Sequence, residues 1–172
     1  MYKILEKRRL APNVTEYVIH APRVTLNAQP GQFVLVRADA EGERVPFTIC
    51  DSDKSGRLTV LVQEVGCATK KMALIPVGGE LSDVVGPLGE PTRLESDNVC
   101  LVAGGIGTAV IYPQAKRLAQ LKRPADIIVG ARNKELIMYE PELRAVAKNL
   151  YITTDDGSYV RRGFVTDVLG EL

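Results

Sequence analysis

The chain holds one histidine, His20, and no tryptophan, and aromatic residues fill only 5% of its 172 positions. Its three cysteines, Cys50, Cys67 and Cys100, are odd in number, widely spaced, and make no Cys-x-x-Cys pair. A structural zinc site or an all-cysteine iron–sulfur site draws on four ligands, usually in close pairs. These residues cannot supply one, and buried, reduced thiols of a cytoplasmic protein are the plainer reading. An excess of one charge is missing too. Lys plus Arg number 22 and Asp plus Glu 21, a net +1, which gives no argument for a nucleic-acid partner. No apolar stretch follows a basic start, so no secretory signal is visible. The longest apolar run, Val99 to Tyr112, is glycine-rich and stops at Pro113; a membrane span needs roughly 20 apolar residues. What remains is an ordinary globular balance, 45% hydrophobic and 25% charged, long enough for one large or two small domains.

Two periods divide what is there. Residues 2–9, 15–20, 32–37, 44–50, 57–65 and 80–85 alternate, or nearly so, between turn residues such as Pro30-Gly31, Asp53-Ser55-Gly56 and Gly78-Gly79. Short strands at this spacing predict an antiparallel six-stranded barrel, interrupted by one helix over 68–74. From Val99 the texture changes. Val99 to Ala103 is continuously apolar, as in a strand buried on both faces. Helical stretches follow at 109–121, 140–149 and 164–169, with apolar strands at 126–130 and 150–154 between them. This β-α-β-α-β-α order predicts an incomplete doubly wound parallel sheet, Rossmann-like in kind. The join lies in the polar stretch Pro91 to Asn98, giving domains 1–95 and 96–172.

Val102-Ala103-Gly104-Gly105-Ile106-Gly107-Thr108-Ala109 lies between a strand and a helix. Glycine here lets the backbone approach a pyrophosphate, and a helix start offers free N–H groups and a positive dipole end. A tight strand-to-helix turn explains the same glycines, and Val110 stands where a full GxGxxG would have its third. A P-loop is excluded, because no Gly-Lys-[Ser/Thr] follows. The second parallel strand ends Gly130-Ala131-Arg132, without the usual acidic residue. Arg132 suits a 2′-phosphate; Glu135 suits a ribose hydroxyl or is a solvated loop charge. The third strand ends Thr154-Asp155-Asp156-Gly157, and the carboxyl ends of parallel strands are where ligands bind.

In the barrel half, Arg44-Val45-Pro46-Phe47-Thr48 sets a planar guanidinium fork, an aromatic and a small hydroxyl on one strand. A surface arginine beside a core phenylalanine is the bland alternative. Gly66-Cys67-Ala68-Thr69 opens the lone barrel helix after the strand that carries Val62 and Gln63. Two glycine-started helices suggest two phosphate-bearing ligands, or one extended one.

These elements and their order resemble the ferredoxin–NADP reductase superfamily. Three further segments, residues 104–113, 128–137 and 151–159, resemble the branch that holds the dihydroorotate dehydrogenase electron-transfer subunit, the sulfide dehydrogenase subunit and the small subunit of NADH-dependent reduced ferredoxin:NADP oxidoreductase. The resemblance implies FAD in the barrel half, held by Arg44, Val45, Pro46, Phe47, Thr48, Val62, Gln63, Gly66, Ala68 and Thr69, with Thr48 near the reactive flavin nitrogen as the catalytic side chain. It implies NAD or NADP held by Gly104, Gly105, Gly107, Thr108, Ala109, Gly130, Ala131, Arg132, Thr154, Asp155 and Asp156. It implies electron transfer between NAD(P)H and a larger flavin or iron–sulfur partner subunit, with ferredoxin or a similar carrier beyond it, in the cytoplasm. A dihydroorotate dehydrogenase electron-transfer subunit and a nucleotide-binding module without turnover are the alternatives. Members continue past the length of this chain, and the family's [2Fe–2S] site is expected outside these residues. On the usual strand order, 99–103 would then present an unpaired edge.

Overall fold

A computed structural model describes residues 1–172. The chain divides into two compact units, Met1–Thr92 and Arg93–Leu172.

In the first unit, β1 (Tyr2–Ala11) and β2 (Val14–His20) form a hairpin, and a short α1 (Pro22–Thr25) follows. Then come β3 (Phe33–Arg37), β4 (Val45–Thr48), β5 (Asp51–Ser52) and β6 (Arg57–Gln63). The unit ends with α2 (Cys67–Leu74), β7 (Glu80–Leu81) and β8 (Asp83–Leu88). The strands form one sheet in the order β5-β6-β2-β1-β7 and another in the order β4-β3-β8. Two bent strands join them. Ile49 N–H donates to Gln32 O and Cys50 N–H to Thr59 O, so the β4–β5 segment passes from one sheet to the other within two residues. Ser82 N–H donates to Arg37 O at the matching bend between β7 and β8. Counting each bent strand once gives the expected six-stranded antiparallel barrel, closed because β4–β5 and β7–β8 each take part in both sheets.

Period-two alternation builds its core. Val34 and Val36 of β3, Leu58, Val60 and Val62 of β6, and Tyr17 and Ile19 of β2 all point inward, against Ile4, Met72 and Leu81. Each such aliphatic burial contributes about 1.5–3 kcal/mol. The helix α1 lies between two expected strands, in a stretch with no expected element; Pro22 at its first turn presets φ. The hairpin into β6 is shaped by Asp53, whose Oδ1 accepts from the N–H groups of Ser55 and Arg57 and from the Ser55 hydroxyl.

The second unit runs β9 (Cys100–Gly104), a 3-10 turn (Gly105–Gly107), α3 (Thr108–Gln120), β10 (Asp126–Ala131), α4 (Glu140–Arg144), β11 (Asn149–Thr154), β12 (Arg161–Arg162) and α5 (Val165–Leu169). Its sheet is parallel throughout, in the order β12-β11-β10-β9. The alternating β/α order thus gives the parallel sheet expected of it. Three details differ. The fourth strand, β12, is two arginines long and carries no apolar signal. The helix expected to reach residue 149 stops at Arg144, because the chain must turn to enter β11: Lys148 N–H donates to Ala125 O, a bond that commits the backbone to the sheet. Finally, β9 is not buried on both faces. Leu101 and Ala103 are buried while Cys100, Val102 and Gly104 are exposed, so only one face of the strand is covered; β9 is also the edge of its sheet. No helix is long and apolar enough to cross a membrane.

Candidate functional site

Each unit places its glycine-started helix after a strand, and each start is built differently.

In the first unit, strand β6 delivers the chain to Gly66, the N-cap of α2. The first-turn amides of an α-helix have no preceding carbonyl to bond. Thr69 settles part of this shortage. Its Oγ1 accepts from Gly66 N–H at 3.0 Å and Val65 N–H at 3.2 Å, and donates to Gly66 O at 3.0 Å. The Thr69 hydroxyl therefore shapes the loop. The amides of Cys67 and Ala68 are left to face an incoming group. A side chain at Gly66 would meet nothing closer than 4.0 Å, so the surface over it is open. Facing α2 is the loop 38–43. Together they line a cleft of about 210 Å³ formed by Ala38, Asp39, Glu41, Gly42, Glu43, Cys67, Ala68 and Lys71.

Strand β4 carries the other expected residues. Its register sets Phe47 opposite Val34 and Val45 opposite Val36, two core residues, and Phe47 packs against that core. Its ring is thus held from behind. Pro46 and Thr48 lie on the reverse face, opposite Leu35 and Phe33. Pro46 is exposed and costs no ladder bond, since β4 is an edge strand of its sheet. Arg44 is spent elsewhere than expected. Its Nε and Nη2 both donate to Asp83 Oδ2, at 3.0 and 2.6 Å, and it is not among the residues lining the cleft at α2. Val62 is fully buried in the core, so only its backbone is available to a ligand, while Gln63 is half-buried beside Val14.

Lys71 and Cys67 face the cleft and were not anticipated. Their spacing, one and five positions after the N-cap glycine, is the signal that would have found them: residues four apart share a helix face. Lys71 Nζ donates to Asp39 Oδ2 at 3.2 Å. That hydrogen bond is the main reason the Asp39 carboxyl sits below its ordinary range and the Lys71 ammonium above its own.

In the second unit, the register aligns the carboxyl ends of the strands: Gly104 lies beside Gly130, and Ala131 beside Thr154. Gly104 and Gly105 are open, with no atom within 4 Å of where a side chain would start. Gly105 has φ +52°, a conformation glycine adopts without strain. Thr108 is buried and its Oγ1 donates to Gly105 O at 2.9 Å, locking the turn. Ala109 is buried and Gly107 is helical, with φ −57°. The open surface is therefore that of Gly104 and Gly105. Gly130 has a packing reason instead: a Cβ there would lie 2.6 Å from Val165 Cγ1 and 3.0 Å from Thr153 Oγ1. Thr154 is fully buried; its hydroxyl accepts from Tyr159 N–H and donates to Tyr159 O, both at 3.1 Å. Asp155 and Arg132 are exposed at the strand ends. The loops after β10 and β11 are tied into one wall. Lys134 N–H donates to Ser158 Oγ, Lys134 Nζ sits 4.9 Å above the Tyr159 ring, and Tyr159 OH donates to Glu140.

A closed antiparallel barrel followed by a parallel sheet, each with an open glycine-started helix, defines a ferredoxin reductase-like protein. Comparison with known proteins agrees. A dihydroorotate dehydrogenase B (NAD(+)) electron transfer subunit homolog of Thermotoga maritima is 38% identical over 172 residues, covering 99% of this chain and 61% of that protein. The dihydroorotate dehydrogenase B (NAD(+)) electron transfer subunit of Shouchella clausii is 34% identical over 176 residues, covering 98% and 67%. Among solved structures, that of NADH-dependent reduced ferredoxin-NADP oxidoreductase superposes with a TM-score of 0.91 at 38% identity, over 100% of this chain and 63% of that one. No family model matches. The chain belongs to the family of dihydroorotate dehydrogenase B electron transfer subunits, oxidoreductase components of ferredoxin reductase-like fold. It spans 61% of the length of the Thermotoga relative.

Proposed function

We propose that this chain carries FAD on residues Met1–Thr92 and NAD or NADP on residues Arg93–Leu172, and passes electrons between the nicotinamide and a partner subunit. The observation that carries the reading is the pair of open, glycine-started helices, one per unit, in a chain of this family. Both suit a diphosphate, since a helix start presents amides and a positive dipole end. When bound, FAD would supply the chemistry, as a hydride acceptor toward the nicotinamide and a one-electron donor toward the partner. The protein's own part is placement. Cys67 and Ala68 offer amides to the flavin diphosphate over the bare Cα of Gly66. The backbone segment Pro46–Thr48 would border the ring, with the half-exposed Thr48 hydroxyl as the side chain offered to its reacting nitrogen. Arg44 serves the diphosphate only by exchanging Asp83 for it. Gly104 and Gly105 seat the nicotinamide dinucleotide, with Arg132 and Asp155 at its edge. No general base is required.

The partner is a larger flavin or iron–sulfur subunit in the cytoplasm, with ferredoxin or a similar carrier as the outlet. The names of the relatives favour a second reading, in which the partner is a dihydroorotate dehydrogenase. Purification with each class of partner separates the two. The decisive spectrum is taken anaerobically on the chain loaded with FAD. Bleaching of the flavin band by NADH or NADPH supports turnover. A yellow protein that neither reduces is a binding module, and a protein that takes up no FAD ends the proposal.

A further inference from the structure

Lys71 is the one cation among the residues lining the cleft at α2. It stands one helical turn beyond Cys67, so its ammonium and the first-turn amides serve the same surface. Asp39, on the facing loop, does two jobs with its two oxygens. Oδ1 accepts from Glu41 N–H at 3.0 Å, and with the bond from Gly42 N–H to Asp39 O this shapes the loop. Oδ2 accepts from Lys71 at 3.2 Å. Both side chains are about half exposed, 50% for Lys71 and 45% for Asp39, so the pair adds little to folding and exchanges at small cost. Glu41 and Glu43 line the same cleft. Its loop side is acidic, and only the α2 side attracts an anion.

We propose that Lys71 binds a phosphate of the dinucleotide at α2 and that Asp39 is an internal counter-anion, occupying Lys71 until a phosphate oxygen replaces it. This rests on the flavin-dinucleotide reading above. In the exchange Lys71 keeps its proton. One charge-assisted hydrogen bond is released and one of the same kind is made, and the freed Asp39 oxygen turns to water. The arrangement predicts opposite signs for the two partners. Removing Lys71 weakens FAD binding; removing the Asp39 charge strengthens it. Asp39→Asn is the apt variant, because its amide oxygen keeps the bond to Glu41 N–H while its NH₂ group cannot accept from Lys71.

The test is titration of the full chain with FAD, followed by flavin fluorescence across a range of salt concentrations, with melting temperatures to check folding. Lys71→Gln is expected to weaken binding about tenfold, the scale of one hydrogen bond to a charged group, and to flatten its salt dependence. Lys71→Arg restores affinity. Asp39→Asn tightens binding about threefold, and this gain disappears when Lys71→Gln is added. Wild-type FAD binding that Lys71→Gln leaves unchanged, or that Asp39→Asn weakens in a folded protein, overturns the proposal while the flavin reading stands. A wild-type chain that binds no FAD removes both.

Discussion

The two helix starts are alike in sequence and unlike in what surrounds them. At α2 the opening glycine is followed by Lys70 and Lys71, faces a carboxylate-bearing loop, and is cross-tied by Thr69. At α3 there is no charged side chain in the first turn. Two bare glycines and a buried threonine make the whole device. A site that combines amides with a charge holds its ligand harder than one made of amides alone. The difference matches the proposed division of labour, in which the barrel keeps a resident flavin and the parallel sheet admits a nicotinamide that must leave after each turnover.

The largest effect tests whether flavin retention depends on the barrel core. Leu58 is fully buried, and Leu58→Ala is expected to cost about 2–5 kcal/mol. The midpoint of chemical denaturation should fall and flavin uptake should fall with it. If flavin stays bound through that transition, the site is not on the barrel.

Next comes the nicotinamide side. Gly105→Val places a β-branched residue at φ +52° and fills the seat, a loss of about 2–3 kcal/mol. Reduction of bound flavin by NADH should slow roughly a hundredfold at subsaturating NADH, with FAD content unchanged. Equal loss of FAD would erase the distinction between the two helix starts.

Gly130→Ala separates packing from binding. The added methyl collides with Val165 and should cost about 1–3 kcal/mol, read as a lower melting temperature. The folded fraction should keep its nicotinamide affinity. Lost affinity at unchanged stability would return Gly130 to the site.

Tyr17 gives a pH test confined to the barrel. Burial pushes its phenol up to about 12 from 10.0, with Glu64 adding to the rise and Arg9 opposing it. The folded state therefore holds this proton more tightly than the unfolded chain. The stability it contributes is intact below pH 10 and drains as pH climbs from about 10 to 12, on the order of 2 kcal/mol. Tyr17→Phe should remove that slope. At pH 7 it should change stability by less than about 1 kcal/mol, because the buried hydroxyl has no partner to lose.

The smallest effect belongs to Arg44. With its fork on Asp83, Arg44→Ala should alter FAD affinity by less than about threefold, well under Lys71→Gln. A larger loss would restore the arginine to the diphosphate and narrow the contrast drawn above.

Much of this was legible in the linear chain. Alternation over 57–65 and 32–37 announced strands of a half-buried sheet, and Gly104-Gly105 between an apolar run and a helix announced an open turn. Less legible were features made by partners far apart in sequence. The two bends that close the barrel, at Ile49-Cys50 and Ser82, depend on bonds to Thr59 and Arg37. The exposure of Val102 depends on only one face of β9 being covered, the face of Leu101 and Ala103.

The sequence by itself determined the order of the main strands and helices, the two periods and the two glycine-started helices, because these depend on neighbours within a turn or a strand; α1 and the two-residue β12 were not among them. Only the tertiary structure decided which groups face each opening. It turned Arg44 to Asp83, set Lys71 opposite Asp39, and pressed Gly130 against Val165. The physical reason is competition. A charged or bare position has many potential partners, and the one it meets depends on which strands the sheet register brings alongside.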